Sequence, residues 1–260
     1  AGPLARNVKD IGLGMDAMVA FNPQDPLTSP NQKYGYRSAA SSPKKPEQLG
    51  FSLDLNGLAI VSEEVSNLML EVRDFIARRG VKIDNNCPDF SNANQAFRPL
   101  RAAQFAGMWS HVLKQNRELL KPEVIWNIEQ GLNLDSAEIA EAEIKRQEIR
   151  KKLLNFLDKN EFLILPAAPV VANCAEDRFV TEINGTKMND YLEWLLLGYV
   201  ISLTGCPAIS IPCGLSQQGL PAGIQVVAKP YQERRLLRVA AWLDDTLDHT
   251  IRVPIDPISH

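Results

Sequence analysis

Two short apolar runs, Ala208-Ile209-Ser210-Ile211 and Gly223-Ile224-Gln225-Val226-Val227, lie on either side of a connector of Gly, Ser, Gln and Pro. Their length and β-branched content predict two buried or half-buried strands joined by a turn over 214–221. Pro207 and Pro212 bracket the first run, which predicts that the strand stops at them, because proline lacks the N–H that a ladder uses. Directly afterwards, residues 232–248 place Leu236, Leu237, Val239, Ala240, Leu243 and Leu247 at helical spacing. Strand, turn, strand and helix within one short span form a packed α/β core, and this core lies towards the C-terminal end.

The chain ahead of that core follows the same logic. A helix is expected from Pro3, with Leu4, Val8, Ile11, Met15, Met18 and Val19 on one side. Residues 21–46, rich in Pro, Ser, Asn and Lys, read as a loop. Residues 48–55 alternate into a strand that 58–61 extends or neighbours. Ser62 caps the next helix, Glu63 and Glu64 sit in its first turn, and Gly80 ends it. Its apolar stripe is Val65, Leu68, Met69, Val72, Phe75 and Ile76, and a short strand follows at 81–83. Helices are expected over 91–120, over 122–131 with Gly131 as its cap, and from 135 to about 157. Glu, Lys and Arg at i, i+4 spacing make the last of these a solvated face. Phe162 to Pro166 is a buried strand, and a loop to Asn189 leads to a helix over 190–204. Alternation of strands and helices predicts a mixed β-sheet covered by helices. With no repeat and no linker, residues 1–260 read as a single domain.

Composition removes several classes. A net charge of −3 is the wrong sign for a nucleic-acid surface. No apolar run approaches the roughly 18 residues of a membrane span. Cys87, Cys174, Cys206 and Cys213 show no C-x-x-C spacing and read as reduced, buried small hydrophobes. With no signal peptide, a cytoplasmic location is expected. His111, His249 and His260 have no ligand-spaced partners, so no metal site is expected, and no glycine-lysine spacing matches a phosphate loop.

The core stretch, TGCPAISIPCG followed by GLPAGIQVVAKPYQERRLLRVAAWLDD, resembles the C-terminal signature of the amidase signature family. Gly205, Pro207, Ala208, Ser210, Pro212 and Gly214 fit its G-x-P-A-x-S-x-P-x-G element. Gly219 to Pro221, Gly223 and Gln225 fit the following G-L-P-x-G-[IL]-Q, and Leu236, Leu237, Arg238 and Ala240 fit its helix. Phe162, Leu163, Leu165, Pro166, Ala167 and Pro169 match a further element. Gly2, Pro3, Leu4, Ala5, Arg6, Val8 and Asp10 match G-P-[LM]-A-R-x-[VA]-x-D, which is internal in the family.

The resemblance implies an amidase signature fold, of which this chain is the C-terminal portion. It implies hydrolysis of a small carboxamide to acid and ammonia, without cofactor, by a Ser nucleophile, a second Ser in a cis peptide and a Lys. In the family these precede the G-P-x-A-R element in a Gly/Ser-rich segment; the Ser41-Ser42 pair here, in a Lys/Pro loop, does not resemble it. No catalytic residue is therefore assigned within this chain, and the isolated chain is expected to be inactive. It should aggregate or bind its missing N-terminal half through an unpaired sheet edge and apolar surface. The substrate wall implied by resemblance comprises Tyr191, Trp194, Leu195, Tyr199 and Thr204, and more loosely Trp126 and Ile128. Such a pocket suits an aryl or alkyl amide. The family also contains the glutaminase subunit of tRNA-dependent amidotransferases, but Trp126 to Gly131 offers no Arg or Lys for a glutamine carboxylate. A non-catalytic binding protein of the same fold is the third alternative. Expected partners are a small amide substrate and the missing half, with no nucleic acid and no membrane, and with homodimerisation left open.

Overall fold

The computed structural model describes residues 2–25, 28 and 35–247. Helix α1 (Val8–Met18) starts later than Pro3, because Asn7 is its cap and accepts the Asp10 N–H at 2.8 Å. Within the expected loop lies a short helix, α2 (Tyr36–Ala40). Its first N–H groups have no partner of their own, and Asp16 of α1 supplies one. That carboxylate accepts the N–H groups of Gly35, Tyr36 and Arg37 at 2.9, 2.8 and 3.0 Å. A cap from a residue about twenty positions upstream leaves no local signature, so sequence periodicity passed over this helix.

Strand β1 (Gln48–Phe51) is shorter than expected. The Ser52 hydroxyl accepts the Leu55 N–H at 3.0 Å, and Leu55 and Asn56 take φ of 57° and 61°. That turn ends the strand, so 52–61 neither continues nor neighbours it. Ser62 caps α3 (Glu63–Arg78), accepting the Val65 N–H at 3.3 Å, and β2 (Lys82–Asp84) follows. Next come α4 (Ala93–Gln115), α5 (Pro122–Leu132) and α6 (Ser136–Lys159). Asp135 and Glu138 form a reciprocal capping box at the start of α6.

Gly131 does not cap α5; it lies inside the helix. A Cβ there would stand 2.0 Å from the Ala102 carbonyl oxygen of α4, so hydrogen is what lets the two backbones approach. Strand β3 (Phe162–Pro166) is buried along its whole length. The expected loop after it contains a hairpin, β4 (Glu182–Ile183) and β5 (Thr186–Lys187). Asn184-Gly185 forms its turn with φ of 50° and 77°, a dipeptide signal that was present in the sequence. The expected helix over 190–204 divides into a 3₁₀ turn at Glu193–Leu195 and α7 (Leu196–Thr204), which Gly205 closes with φ 63°. Strands β6 (Ala208–Leu215) and β7 (Pro221–Val227) and helix α8 (Glu233–Leu247) complete the described chain. The end of the expected helix at 248 lies outside the described residues, as do His249 and His260.

The main sheet has the order β2-β1-β3-β7-β6. β1 is parallel to β2 and β3, whereas β7 runs antiparallel to both β3 and β6. This is the mixed sheet expected from the alternation. β6 continues through Pro212 instead of stopping there. Among the described residues it is an edge strand, and its register shifts between Pro212 and Gly214, which is where a missing N–H is tolerated. The apolar face of α3 (Val65, Met69, Val72, Ile76) and that of α8 (Leu236, Leu237, Ala240, Leu243) join the core around β3 and β7. Cys87 and Cys213 are buried in it, but Cys174 is exposed, contrary to the reading of all four as buried.

Two expectations follow. Gly131→Ala forces α4 and α5 apart and should cost about 1–3 kcal/mol in urea unfolding, the usual range for overpacking. Hydrogen bonds from Arg37, Tyr36 and Gly35 hold the Asp16 carboxyl below its ordinary value of 3.8 against an opposing desolvation. Its folded-state value is depressed, so the stabilisation is complete above that ordinary value and disappears as pH falls through the folded value. Asp16→Ala should therefore lower the thermal midpoint at pH 7 by more than it does at pH 2.5.

Candidate functional site

Helix α4 places Asn94, Phe97, Arg98, Arg101 and Phe105 at steps of three and four, hence on one face. That face meets residues 190–199. The Tyr199 hydroxyl donates to Asn94 Oδ1, and its ring stacks on Phe97 with centroids 4.1 Å apart and planes 7° from parallel. Arg98 grips Asp190 with both nitrogens, Nη1 to Oδ2 at 2.5 Å and Nη2 to Oδ1 at 3.1 Å. Arg101 Nε donates to the Tyr191 hydroxyl at 3.2 Å. Its guanidinium lies 4.6 Å from the Phe105 ring centre and 5.8 Å from those of Phe97 and Tyr191.

A second wall comes from α5. Asn127 Nδ2 donates to the Glu123 carbonyl at 2.7 Å and to the Tyr191 hydroxyl at 2.5 Å. Trp126 meets Tyr191 edge-on, centroids 6.3 Å apart at 82°, and Phe179 meets it at 6.5 Å and 65°. Tyr191 thus accepts from both Arg101 and Asn127. Those bonds occupy the two lone pairs of the oxygen and leave its own O–H as a donor. Trp194 Nε1 is buried with no acceptor among the described residues, a second donor in this wall without a partner among them.

The charges are set by burial and pairing. Burial alone would raise the Asp190 carboxyl, but the Arg98 guanidinium and the Leu192 N–H hold it below its ordinary value. Burial also pushes the Tyr199 phenol far above its usual range, Arg98 offsetting and Asp190 and Glu193 adding to the shift. Tyr199 is therefore neutral and donates to Asn94 at any physiological pH.

Of the residues expected to form a substrate wall, Tyr191 and Trp126 are in contact, and Tyr199 joins them through the shared face of α4. Trp194 and Leu195 occupy the 3₁₀ turn between them, Leu195 against the core. Ile128 is fully buried, and so is Thr204. The Thr204 hydroxyl is used within the helix end, donating to the Ile201 carbonyl at 2.6 Å and accepting the Cys206 N–H at 3.2 Å. Asn94, Arg98, Arg101, Asn127, Phe179 and Asp190 were not anticipated. Aromatic and polar residues alternate on α4 in the sequence, but an apolar stripe signals packing and carries no information about which polar positions share its face. That stripe itself is uneven: Met108 is 53 % exposed and Trp109 42 %. Among the described residues no three His, Cys, Asp or Glu side chains are grouped to hold a metal, and no helix is long and apolar enough to cross a membrane.

A mixed sheet flanked by helices, with an aromatic and cationic wall on two of them, defines the class of molecule, and comparison with known proteins gives its family. The family model described as Amidase matches residues 1–237. The chain belongs to the amidase family. It is 22 % identical to an acylamidase of Rhodococcus erythropolis, over 99 % of this chain and 54 % of that protein. It is 26 % identical to a glutamyl-tRNA(Gln) amidotransferase subunit from Synechococcus sp. (strain RCC307), over 99 % of this chain and 57 % of that protein. Among solved structures, a bacterial aryl acylamidase of the amidase signature enzymes superposes with a TM-score of 0.81 at 19 % identity, over 94 % of this chain and 52 % of that one. The chain thus spans about half the length of the relatives it matches. The expected amidase signature fold, a mixed sheet with helices, is the observed one.

Asp190→Asn leaves the half-buried Arg98 with a neutral partner. The variant should lose about 1–2 kcal/mol in urea unfolding at pH 7, a hydrogen bond to a charged group discounted for partial exposure. Because the Asp190 value is depressed on folding, the deficit should shrink as pH falls below the ordinary carboxylate range.

Proposed function

We propose that this chain is the C-terminal portion of an amidase that hydrolyses a small aryl or alkyl carboxamide to the acid and ammonia. A Ser nucleophile, a second Ser in a cis peptide and a Lys would come from a segment N-terminal to these residues, and no cofactor takes part. The observation that carries the reading is the wall of Trp126, Tyr191 and Phe179 with its unspent Tyr191 O–H donor. Rings on two sides suit a flat or apolar acyl or amine group. A free hydroxyl proton suits an amide carbonyl. Trp194, Leu195 and Tyr199 extend the wall, while Ile128 and Thr204 shape it from behind. Met108, Trp109, Leu119 and Leu132 leave apolar surface exposed on this half, which supports association with the remainder of the domain.

A second reading is the glutaminase subunit of a tRNA-dependent amidotransferase. Arg101 favours it: although 126–131 carries no cation, this guanidinium touches the Tyr191 hydroxyl and makes no ion pair among the described residues. A substrate carboxylate would find a charge-assisted partner there.

Ammonia release by the full-length protein from anilides, aliphatic amides and glutamine separates the two. Turnover of anilides with no more than a trace from glutamine is expected. Trp126→Ala and Tyr191→Phe should each lower kcat/KM for the anilide by 10-fold or more, about 1.4 kcal/mol at the transition state. Activity on glutamine alone would establish the second reading, and activity of residues 1–260 in isolation would refute a nucleophile outside them.

A further inference from the structure

Away from that wall, α2, the segment after it and the first two turns of α8 enclose a cleft of about 430 Å³. Lys44 and Lys45 line the cleft together with Arg234, Arg235 and Arg238, and Glu161 is the sole carboxylate among the described lining residues. A chain with a net charge of −3 therefore gathers five cations around one concavity.

The frame that holds them is stitched together. Arg238 Nε donates to the Ser42 carbonyl at 3.0 Å, and the Lys44 N–H donates to the Arg238 carbonyl at 3.0 Å. Lys45 Nζ donates to the Arg79 carbonyl at 3.1 Å. The single carboxylate is already committed. Glu161 Oε1 accepts the Glu47 N–H at 2.5 Å, and Oε2 pairs with Arg235. Lys44, Lys45, Arg234 and Arg238 form no ion pair among the described residues, although Arg234 feels the Asp16 charge. Asp16 spends both oxygens on the α2 amides.

Position sharpens the argument. Arg234 and Arg235 stand in the first turn of α8. The helix N-terminus is positive there, which disfavours the two arginines, and Glu233 in the same turn, outside the lining, offsets it only in part. Like charges facing each other across a cleft add to that cost. A bound anion relieves both. The four cations without an ion pair exceed the about two charges of one orthophosphate, which favours a more highly charged anion. The arginine fork matches phosphate oxygens in pairs. Among the described residues the lining holds no aromatic ring on which a base would stack.

We propose that this cleft is a binding site for a small anion carrying two or more linked phosphates, recognised through the phosphates themselves. The site is independent of the amide-cleaving reading and would persist if that reading failed.

Isothermal titration of the full-length protein at low ionic strength with pyrophosphate, orthophosphate and ATP tests it. Pyrophosphate should bind one to one, at least 10-fold tighter than orthophosphate. Lys44→Gln with Arg234→Gln should weaken pyrophosphate binding 10-fold or more while the unliganded protein stays folded with a thermal midpoint little lowered, because neither side chain carries a hydrogen bond or ion pair among the described residues and Arg234 reaches Asp16 only through its charge. Arg234→Lys, which keeps the charge and loses the fork, should fall between. ATP matching pyrophosphate marks an inorganic or generic phosphate chain as the ligand, and tighter ATP binding marks a nucleotide; each supports the site. No measurable pyrophosphate binding, equal affinity for orthophosphate, or an affinity within twofold in the double variant would overturn it.

Discussion

Strand β3 is the constraint on which the rest of the structure depends. All five of its residues are buried, so each backbone N–H and C=O must find a partner inside the protein. It finds them on two sides with opposite senses, parallel to β1 and antiparallel to β7. The parallel side demands a crossover, and the long helices between β2 and β3 provide one. The antiparallel side receives the β6–β7 hairpin, whose own apolar residues close the core beneath α8. Because the sheet changes sense at β3, the segment leaving that strand is released to wander over the surface before returning as α7. That excursion carries Phe179, Asp190 and Tyr191 to the face of α4.

The α4 face shows how such an excursion is held. The loop after β3 has little regular structure of its own beyond a two-residue hairpin. It is fixed at its far end by a forked ion pair, a stacked ring pair and a phenol that receives two hydrogen bonds. Each is modest by itself, but they share neighbouring residues on two consecutive turns, so ordering one side chain lowers the entropic cost of ordering the next. The wall is therefore preorganised through polar contacts, with the rings as its surface.

Legibility in the sequence tracked locality. The cores of α3, α6, α8, β3 and the β6–β7 pair could all be read, because their signals are apolar periodicity and caps lying within a few residues. The mixed sheet and the family followed from the β6–β7–α8 stretch. What escaped was set at a distance. The cap of α2 comes from Asp16, the close approach at Gly131 depends on Ala102, and the continuation of β6 through Pro212 goes with a register shift and with no outer neighbour among the described residues. The candidate site divides in the same way. Aromatic positions such as Tyr191, Trp126 and Tyr199 could be named from the chain. Arg98 and Arg101 could not, because only the folded arrangement shows that residues about ninety positions apart need them. The cationic cleft escaped for a related reason: its lysine pair and its arginine cluster lie far apart in sequence, and net charge averages them away.

The register slip at Pro212 and Gly214 has a consequence beyond the local ladder. Two β-branched runs side by side, one of them at a rim, are the material from which fibrils grow when an exposed backbone recruits a copy of itself. A missing donor and a broken repeat spoil the regular spacing that such recruitment would copy. The chain thus carries its most sheet-prone sequence at the rim of the described sheet with an interruption of the ladder built into it.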